Sequence, residues 1–473
     1  MTFKKNFKKI YYYKMSLQRP TTQRVVALSD IHADLEALVV TLRDCAKVIR
    51  KKNFQSHQTD DELYRQLELP NVNDSAYIPD LGYEWSGNDT IVVIVGDLID
   101  GARESDSVTK ADGIELAYYP QVEIKLLLFI NAINTQARHL NGGIVKVLGN
   151  HDYENFKGNE DMVNDYAFTP DRDNECYYQH KDGTWESRKT FFRFGHEGYR
   201  LYQETLGMYI IFRVNNLLFV HGQLPTKKFL EREATLLTFE TIHALLRQPY
   251  TNEVGEKIKL YDDLISDVLW GREYGDPDER HNEKDAEMEE RVKSDISAFC
   301  GKVCGDTNMT IFVGHCQQHL VHQDKSVRST LAHFCRRNKV AETFDNTEIY
   351  TGKPDAKEQH VNKTFGIVTE WEYEPKQNRH IPILVKLDVA VGRGQEYLDD
   401  YLALQSGELS ELDFFKPRAP TVFEVIGSKM NIVRSTMANM ALHIKRDAYM
   451  AYKPSPSIYD AQASRKTKKK KKE

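Results

Sequence analysis

Cysteine is scarce in this chain: six residues in 473 (Cys45, Cys176, Cys300, Cys304, Cys316 and Cys335), at spacings that fit no disulfide framework. Cys300 and Cys304 lie four apart, but no second pair sits at a zinc-site distance, which argues against a metal knuckle. No apolar run approaches the roughly 18 residues of a membrane span. The stretch Ile10-Tyr11-Tyr12-Tyr13 is too short and too polar for a signal-peptide core. These absences point to a reducing, intracellular setting with no membrane partner. A strong net charge is also missing, because the formal total is only −6. That total hides five lysines between residues 4 and 14 and seven basic residues between 465 and 472. Without those twelve and Glu473 the body carries about −17, which argues against a broad nucleic-acid-binding face. Only the lysine tail is left as a nucleic-acid contact or nuclear-targeting segment, and a plain solvated end is the competing reading.

What the chain does have is ordinary globular material, 40% apolar and 11% aromatic, enough for one large domain or two to three small ones. Five short apolar runs stand out: Val25–Leu28, Ile91–Val95, Ile144–Leu148, Leu217–Val220 and Thr310–Val313. Continuous apolar runs of four or five residues predict strands buried on both faces. Each stops abruptly at a polar residue: Ser29-Asp30, Gly96-Asp97, Gly149-Asn150, His221-Gly222 and Gly314-His315. Helical patterns at Leu35–Arg50 and Val122–Arg138 alternate with the first three, which predicts an α/β architecture. In such sheets ligands gather beyond the carboxyl ends of the strands, where these polar residues lie.

The expected organisation is a basic, unstructured lead over 1–22, with Met15 a second candidate start, and a main domain over 23–400. Polar inserts at 51–88 and 153–190 are expected to lie over the mouth of the site. A charge-dense helix is expected from Asp285 to Lys293, a mixed helical extension over 401–453, and a disordered lysine-rich tail over 454–473.

The strand-end residues form a coherent donor set. Asp30, His32, Asp97, Asn150, His221 and His315 offer two carboxylates, one amide oxygen and three imidazoles. Mixed N/O donors suit Mn, Fe or Zn better than soft, thiolate-seeking metals, and better than an all-oxygen Mg or Ca cage. Asp97 is the carboxylate placed to bridge two ions. A single strand-end histidine is usually a satisfied core or capping residue, but five such blocks in order are hard to obtain by accident.

The blocks Ser29-Asp30-Ile31-His32, Gly96-Asp97-Leu98-Ile99-Asp100, Gly149-Asn150-His151-Asp152, Val220-His221-Gly222 and Gly314-His315 resemble the five signatures of calcineurin-like metallophosphoesterases. The second is similar to the Gly-Asp-x-x-Asp motif of the phosphoprotein phosphatase branch. Asp267-Val268-Leu269-Trp270-Gly271-Arg272-Glu273-Tyr274 resembles a tryptophan–arginine segment of bacterial-type and viral members of that branch. Leu387-Asp388-Val389 resembles the late strand that closes the fold, so the likeness covers about residues 24–395.

The resemblance implies a central β-sandwich flanked by helices and two divalent metal ions. Asp30 and His32 would hold the first ion, Asp97 would bridge, and Asn150, His221 and His315 would hold the second. His151, oriented by Asp100, would assist the leaving group while a hydroxide bridging the two ions attacks phosphorus in line. An arginine should clamp the phosphate. The branch usually follows its second motif directly with Arg-Gly, whereas this chain reads Gly101-Ala102-Arg103. Arg103 and Arg272 are therefore both candidate clamps, with Arg200 behind them. Gln223 replaces the second glycine of the His-Gly-Gly block, and Gln317 stands where broader relatives often carry a further histidine. The latter favours the phosphatase branch. The implied activity is hydrolysis of phosphoserine or phosphothreonine in proteins, with manganese the expected metal. Hydrolysis of nucleotides or dinucleoside polyphosphates is the alternative, and a metal-free scaffold on the same fold is the reading from a different class.

Overall fold

The computed structural model describes residues 16–17, 23–33, 35–52, 82–100, 122–159, 178–179, 184–206, 209–226, 230, 265, 268–272, 274, 285–305, 309–315, 319–321, 363–365, 368–374, 379–387, 421–427 and 429–434. All structural statements below concern those residues.

Two mixed sheets carry the architecture. The first takes the order β17 (Lys429–Arg434), β16 (Thr421–Ile426), β2 (Arg24–Leu28), β5 (Ile91–Val95), β6 (Gly143–Val147). In it β2, β5 and β6 run parallel, with Val25 opposite Ile91 and Ile91 opposite Gly143, so their carboxyl ends line up along one edge. The second takes the order β1 (Ser16–Leu17), β9 (Ile211–Val214), β10 (Leu217–Val220), β11 (Thr310–Val313), β15 (Arg379–Lys386), β14 (Val368–Glu374). Here β10, β11 and β15 are parallel. Three two-stranded ribbons complete the list: β3 (Ile49–Lys51) with β4 (Tyr83–Trp85), β7 (Tyr178–Gln179) with β8 (Trp185–Glu186), and β12 (His319–Val321) with β13 (Lys363–Phe365).

The continuous apolar runs end up where their composition requires. Every residue of β5, β6, β10 and β11 is buried. Phe312 of β11 stacks on Phe219 at 4.7 Å and meets Phe423 of β16 edge-on at 5.4 Å, which joins the two sheets through one aromatic cluster. The helices are α1 (Leu35–Val40), α2 (Val122–His139), α3 (Asn150–Lys157), α4 (Arg188–Phe192), α5 (Glu197–Leu206) and α6 (Asp285–Phe299). The α/β fold with its two central sheets is the one expected. None of these helices is long and apolar enough to cross a membrane.

Four expectations need correction. The helix expected over Leu35–Arg50 is only six residues long. It passes into a π-turn at Thr41–Cys45, Lys47 adopts a left-handed φ of 52°, and Ile49–Lys51 becomes a strand. Three consecutive β-branched residues, Val39-Val40-Thr41, weaken the helix there, and the Thr41 hydroxyl donates back to the Ala37 carbonyl at 2.6 Å. Within the expected lead, Ser16–Leu17 pairs in parallel with Arg213 and Val214. Within the expected insert 153–190, the first residues continue α3 and the last open α4. Where a helical extension is expected, Thr421–Arg434 is a β-hairpin whose first strand pairs with β2, placing Phe423 opposite Ala27. Tyr83–Trp85 of the insert expected over 51–88, and Tyr178–Gln179 with Trp185–Glu186 of the one expected over 153–190, are ribbon strands. Residues 53–81, 160–177 and 180–183 and the lysine tail lie outside the described residues.

Candidate metal centre

The parallel strands deliver their terminal residues to one place. Asp30 follows β2, Asp97 follows β5, Asn150 and His151 open α3 after β6, and His221 and His315 follow β10 and β11. Backbone bonds tie these ends together: Ile31 and His32 donate to the Asp97 carbonyl at 2.8 and 3.0 Å, and Gly314 donates to the His221 carbonyl at 2.8 Å. Asp30, Asp97, Asp100, Asn150, His151 and His221 are all buried, whereas His32 and His315 are half-buried and form the solvent side.

The centre of the arrangement is Asp97 Oδ2. Three imidazole Nε2 atoms surround it, from His221 at 3.6 Å, His32 at 3.8 Å and His151 at 3.9 Å. These separations are too long for hydrogen bonds. They sit slightly beyond the roughly 3–3.6 Å between neighbouring donors on one ion with 2.0–2.2 Å bonds. Two triplets have donor atoms within 4.8 Å of one another: His32, Asp97 and His151, and Asp30, Asp97 and His221. Asp97 belongs to both.

His32 and His151 are oriented from behind, through Nδ1, whereas His221 is bonded on the side that faces Asp97. His32 Nδ1 lies 3.0 Å from the Asp100 carbonyl, which only accepts, so Nδ1 carries the proton and Nε2 presents its lone pair. His221 Nε2 lies 2.8 Å from Asn150 Oδ1. Burial pushes the His221 pKa down to about 3, which keeps the ring neutral, as a metal ligand must be. His151 Nδ1 bonds Asp100 Oδ2. Its backbone N–H donates to Asp97 Oδ1 at 2.9 Å. Burial raises the pKa of Asp97, while the His151 and His32 imidazoles pull it back down. A divalent cation would remove that desolvation penalty.

The backbone is held out of its usual conformations at the same spot. His32, Ala33, Asp100 and His315 have φ of 47°, 57°, 71° and 65°. The left-handed region costs a non-glycine residue about 1–2 kcal/mol. Gly96, at φ 123°, leaves space that a side chain would fill: a Cβ there would lie 2.1 Å from His221 Nδ1 and 2.2 Å from Asp30 Oδ1. A nitrogen and oxygen donor set, a cradle kept open by glycine, and a carboxylate common to two triplets together fit a pair of divalent cations.

The resemblance assigns Asp30 to the same ion as His32; its Oδ1 lies 3.7 Å from His221 Nδ1, and its Oδ2 accepts from the His315 N–H at 3.2 Å. His151 falls into a triplet with His32, whose ring it meets edge-on at 5.1 Å. Of the candidate clamps, Arg272 is exposed, Arg200 is exposed on α5, and Arg103 lies outside the described residues.

The tryptophan–arginine segment is docked directly on the ligand loop. Gly222 and Gln223 both donate to the Val268 carbonyl at 3.1 Å, and Trp270 stands edge-on to His315 at 6.1 Å. A Cβ on Gly222 would meet the carbonyls of Val268, Gly271 and Leu269 at 2.7–3.0 Å. Gly222→Ala is therefore expected to displace this segment at a cost of about 1–3 kcal/mol. Urea unfolding would read that loss, and an unchanged midpoint would show that the two loops separate freely.

Sequence reasoning missed the layer beneath the donors. Asp152, fully buried, accepts from the N–H groups of Leu98 and Ile99 at 3.1 Å, accepts from Gly149 at 3.0 Å, and pairs with Lys146. A lysine inside a strand buried on both faces was the available signal, because such a charge demands a partner nearby. Glu123 and Arg188, also buried, gave no comparable signal.

A buried, shared carboxylate ringed by imidazoles at the ends of converging strands is the kind of site that metallohydrolases use. The family description "calcineurin-like phosphoesterase" matches residues 23–315, more than half of the chain, and the chain belongs to that family. Its members work with two metal ions on phosphoesters. No match is found among curated protein sequences. Among solved structures, the chain is similar to a cold-active protein-tyrosine phosphatase of a Shewanella species. That similarity is at 19% identity and TM-score 0.38, over 66% of this chain and 70% of that one. A second structure of a cold-active protein tyrosine phosphatase aligns at 19% identity and TM-score 0.37, over 64% of this chain and 66% of that one. A protein serine/threonine phosphatase from Saccharomyces cerevisiae aligns at 10% identity and TM-score 0.35, over 94% and 85%.

Proposed function

We propose that the chain is a metal-dependent phosphomonoesterase acting on phosphoserine and phosphothreonine in proteins. The observation that carries this reading is Asp97, common to two donor triplets, with the His151–Asp100 pair beside it. The protein substrate rests on the Gly96-Asp97-Leu98-Ile99-Asp100 signature. We assign Asp30, His32, Asp97, Asn150, His221 and His315 as donors, with manganese the expected metal. The two cations, when bound, supply an activated water and neutralise the charge on the phosphoryl oxygens.

The chain's own residues manage position and protons. Asp97 fixes the floor of the site and, through its bond from the His151 N–H, the position of that residue. Asp100 holds His151 by Nδ1 and stabilises the imidazolium, leaving Nε2–H to face the departing oxygen. As the phosphorus–oxygen bond to the serine or threonine breaks, that oxygen takes the Nε2 proton. A new phosphorus–oxygen bond forms to the oxygen of water, and the water's proton restores the pair. Arg272, beyond Trp270, is our choice for the residue that grips the phosphoryl group. An intracellular location is part of the same reading.

The test is His151→Ala. Turnover of a phosphoserine peptide should fall about 10²–10⁴-fold, the usual worth of a general acid, while two ions per chain remain by elemental analysis. Loss of metal in parallel with turnover would make His151 a ligand, as its triplet with His32 allows. A manganese-supplemented panel of phosphopeptides, an aryl phosphate, a phosphodiester and dinucleoside polyphosphates would test the substrate. Preference for a dinucleoside polyphosphate over every phosphopeptide would overturn the protein substrate.

A further inference from the structure

Behind the His151–Asp100 pair lies a closed ring of buried polar groups to which no step above assigns a role. Asp100 is held on three sides. Its N–H donates to Glu123 Oε1 at 2.9 Å, its carbonyl accepts from His32, and its Oδ2 bonds His151. Glu123, on the first turn of α2, is gripped by Arg188 of α4 in a two-point fork: Nε to Oε2 at 2.9 Å and Nη2 to Oε1 at 2.6 Å. The third guanidinium nitrogen, Nη1, donates to Asn155 Oδ1, and Asn155 Nδ2 donates to the backbone carbonyl of His151 at 2.8 Å. Arg188 therefore reaches both members of the pair, Asp100 through Glu123 and His151 through Asn155.

A fully buried arginine is costly unless every donor is used and its charge is paired. A carboxylate fork on one edge and an amide oxygen on another pair the charge and engage all three guanidinium nitrogens. The same fork fixes Glu123 so that its Oε1 meets the N–H of Asp100, a residue whose φ of 71° needs support.

We propose that Arg188 is a positioning residue for the leaving-group pair, acting through Glu123 and Asn155 rather than by touching substrate. The proposal rests on the reading of His151 as the proton donor. Partners behind metal-bound histidines typically carry about 10–100-fold in activity; we take the same scale for this proton donor, and the loss should depend on the leaving group. An alkoxide leaving from phosphoserine needs its proton, whereas 2,4-dinitrophenolate does not.

The experiment compares Arg188→Lys and Asn155→Ala with the parent and with His151→Ala. Arg188→Lys keeps the charge and loses the fork; Asn155→Ala removes only the strut to His151. Each is assayed with manganese on a phosphoserine peptide and on 2,4-dinitrophenyl phosphate. We expect kcat to fall about 10–100-fold on the peptide and less than about threefold on the aryl ester, with KM and ion content unchanged. In the metal-free protein, the downfield imidazole N–H proton of His151, identified by its loss in His151→Ala, should broaden or shift in both variants. Equal losses on the two substrates, an unmoved proton signal, or failure of both variants to fold would each overturn the proposal and leave the ring a role in folding alone. If His151→Ala itself shows no leaving-group dependence, the reading of His151 falls and this inference falls with it. If only the Arg188 and Asn155 variants fail to show it, the reading of His151 stands.

Discussion

Replacing Asp97 with asparagine is expected to lower turnover about a thousandfold, the kinetic equivalent of about 4 kcal/mol, and to strip metal from the protein. The geometry puts this residue ahead of the other donors because its Oδ2 lies 3.6–3.9 Å from the Nε2 atoms of three histidines. The amide is nearly the same size, and its oxygen can still accept from the His151 N–H. What it removes is the negative charge common to both triplets. Elemental analysis should find fewer than two ions per chain at manganese concentrations that saturate the parent.

The metal-free variant should be at least as stable as the metal-free parent, because burial already raises the pKa of the carboxylate and an amide carries no such penalty. Loss of activity through simple unfolding predicts the opposite order of stability. Full retention of two ions would mean that the common position belongs to another residue.

Legibility in the sequence followed the physics of each element. The five strand ends were readable because a strand buried on both faces must be apolar throughout. The first polar residue after it then marks both the end of the strand and the start of the site. Asp30, Asp97, Asn150, His221 and His315 are read as candidates that way, with His32 and His151 added from the motifs around them, and the structure places all of them at the strand ends. The segment Leu35–Arg50 misled because helical spacing of apolar residues says nothing about tertiary demand. Ile49 and Arg50 are claimed by the ribbon with Tyr83–Trp85, a partner more than thirty residues away. The hairpin Thr421–Arg434 was missed for the same reason, since its first strand is completed by β2, about 400 positions earlier. The grip of Glu123 and Arg188 behind Asp100 was invisible. Glu123 and Arg188 are 65 residues apart, and a glutamate opening a helix followed much later by an arginine carries no local signature.

The second large effect concerns stability, and it falls on a residue that is not a metal donor. Asp152→Ala is expected to cost about 3–5 kcal/mol, the usual result of stranding a buried partner charge. The carboxylate accepts three backbone N–H groups (Leu98, Ile99 and Gly149) and pairs with Lys146, so one deletion leaves three orphan donors and a buried ammonium. Lys146→Met should cost less, because the carboxylate keeps its three N–H partners and the methionine fills the lysine's volume.

A pH signature separates the two variants. Burial pushes the Lys146 pKa down to about 8 from 10.5, even though Asp152 raises it. Without Asp152 the folded-state value drops further. Between that lower value and pH 8, the unfolded Asp152→Ala chain then binds a proton that its folded state does not. Its stability therefore rises with pH by up to about 1.4 kcal/mol per unit there, while the parent gains nothing from this group until above pH 8. The gap between parent and Asp152→Ala should thus be smaller at pH 8 than at pH 6 in urea unfolding of the metal-free proteins, and the gap to Lys146→Met should show no such narrowing from this lysine. A constant gap would mean that the destabilisation comes from the stranded N–H groups of the Asp97 loop and not from the buried charge.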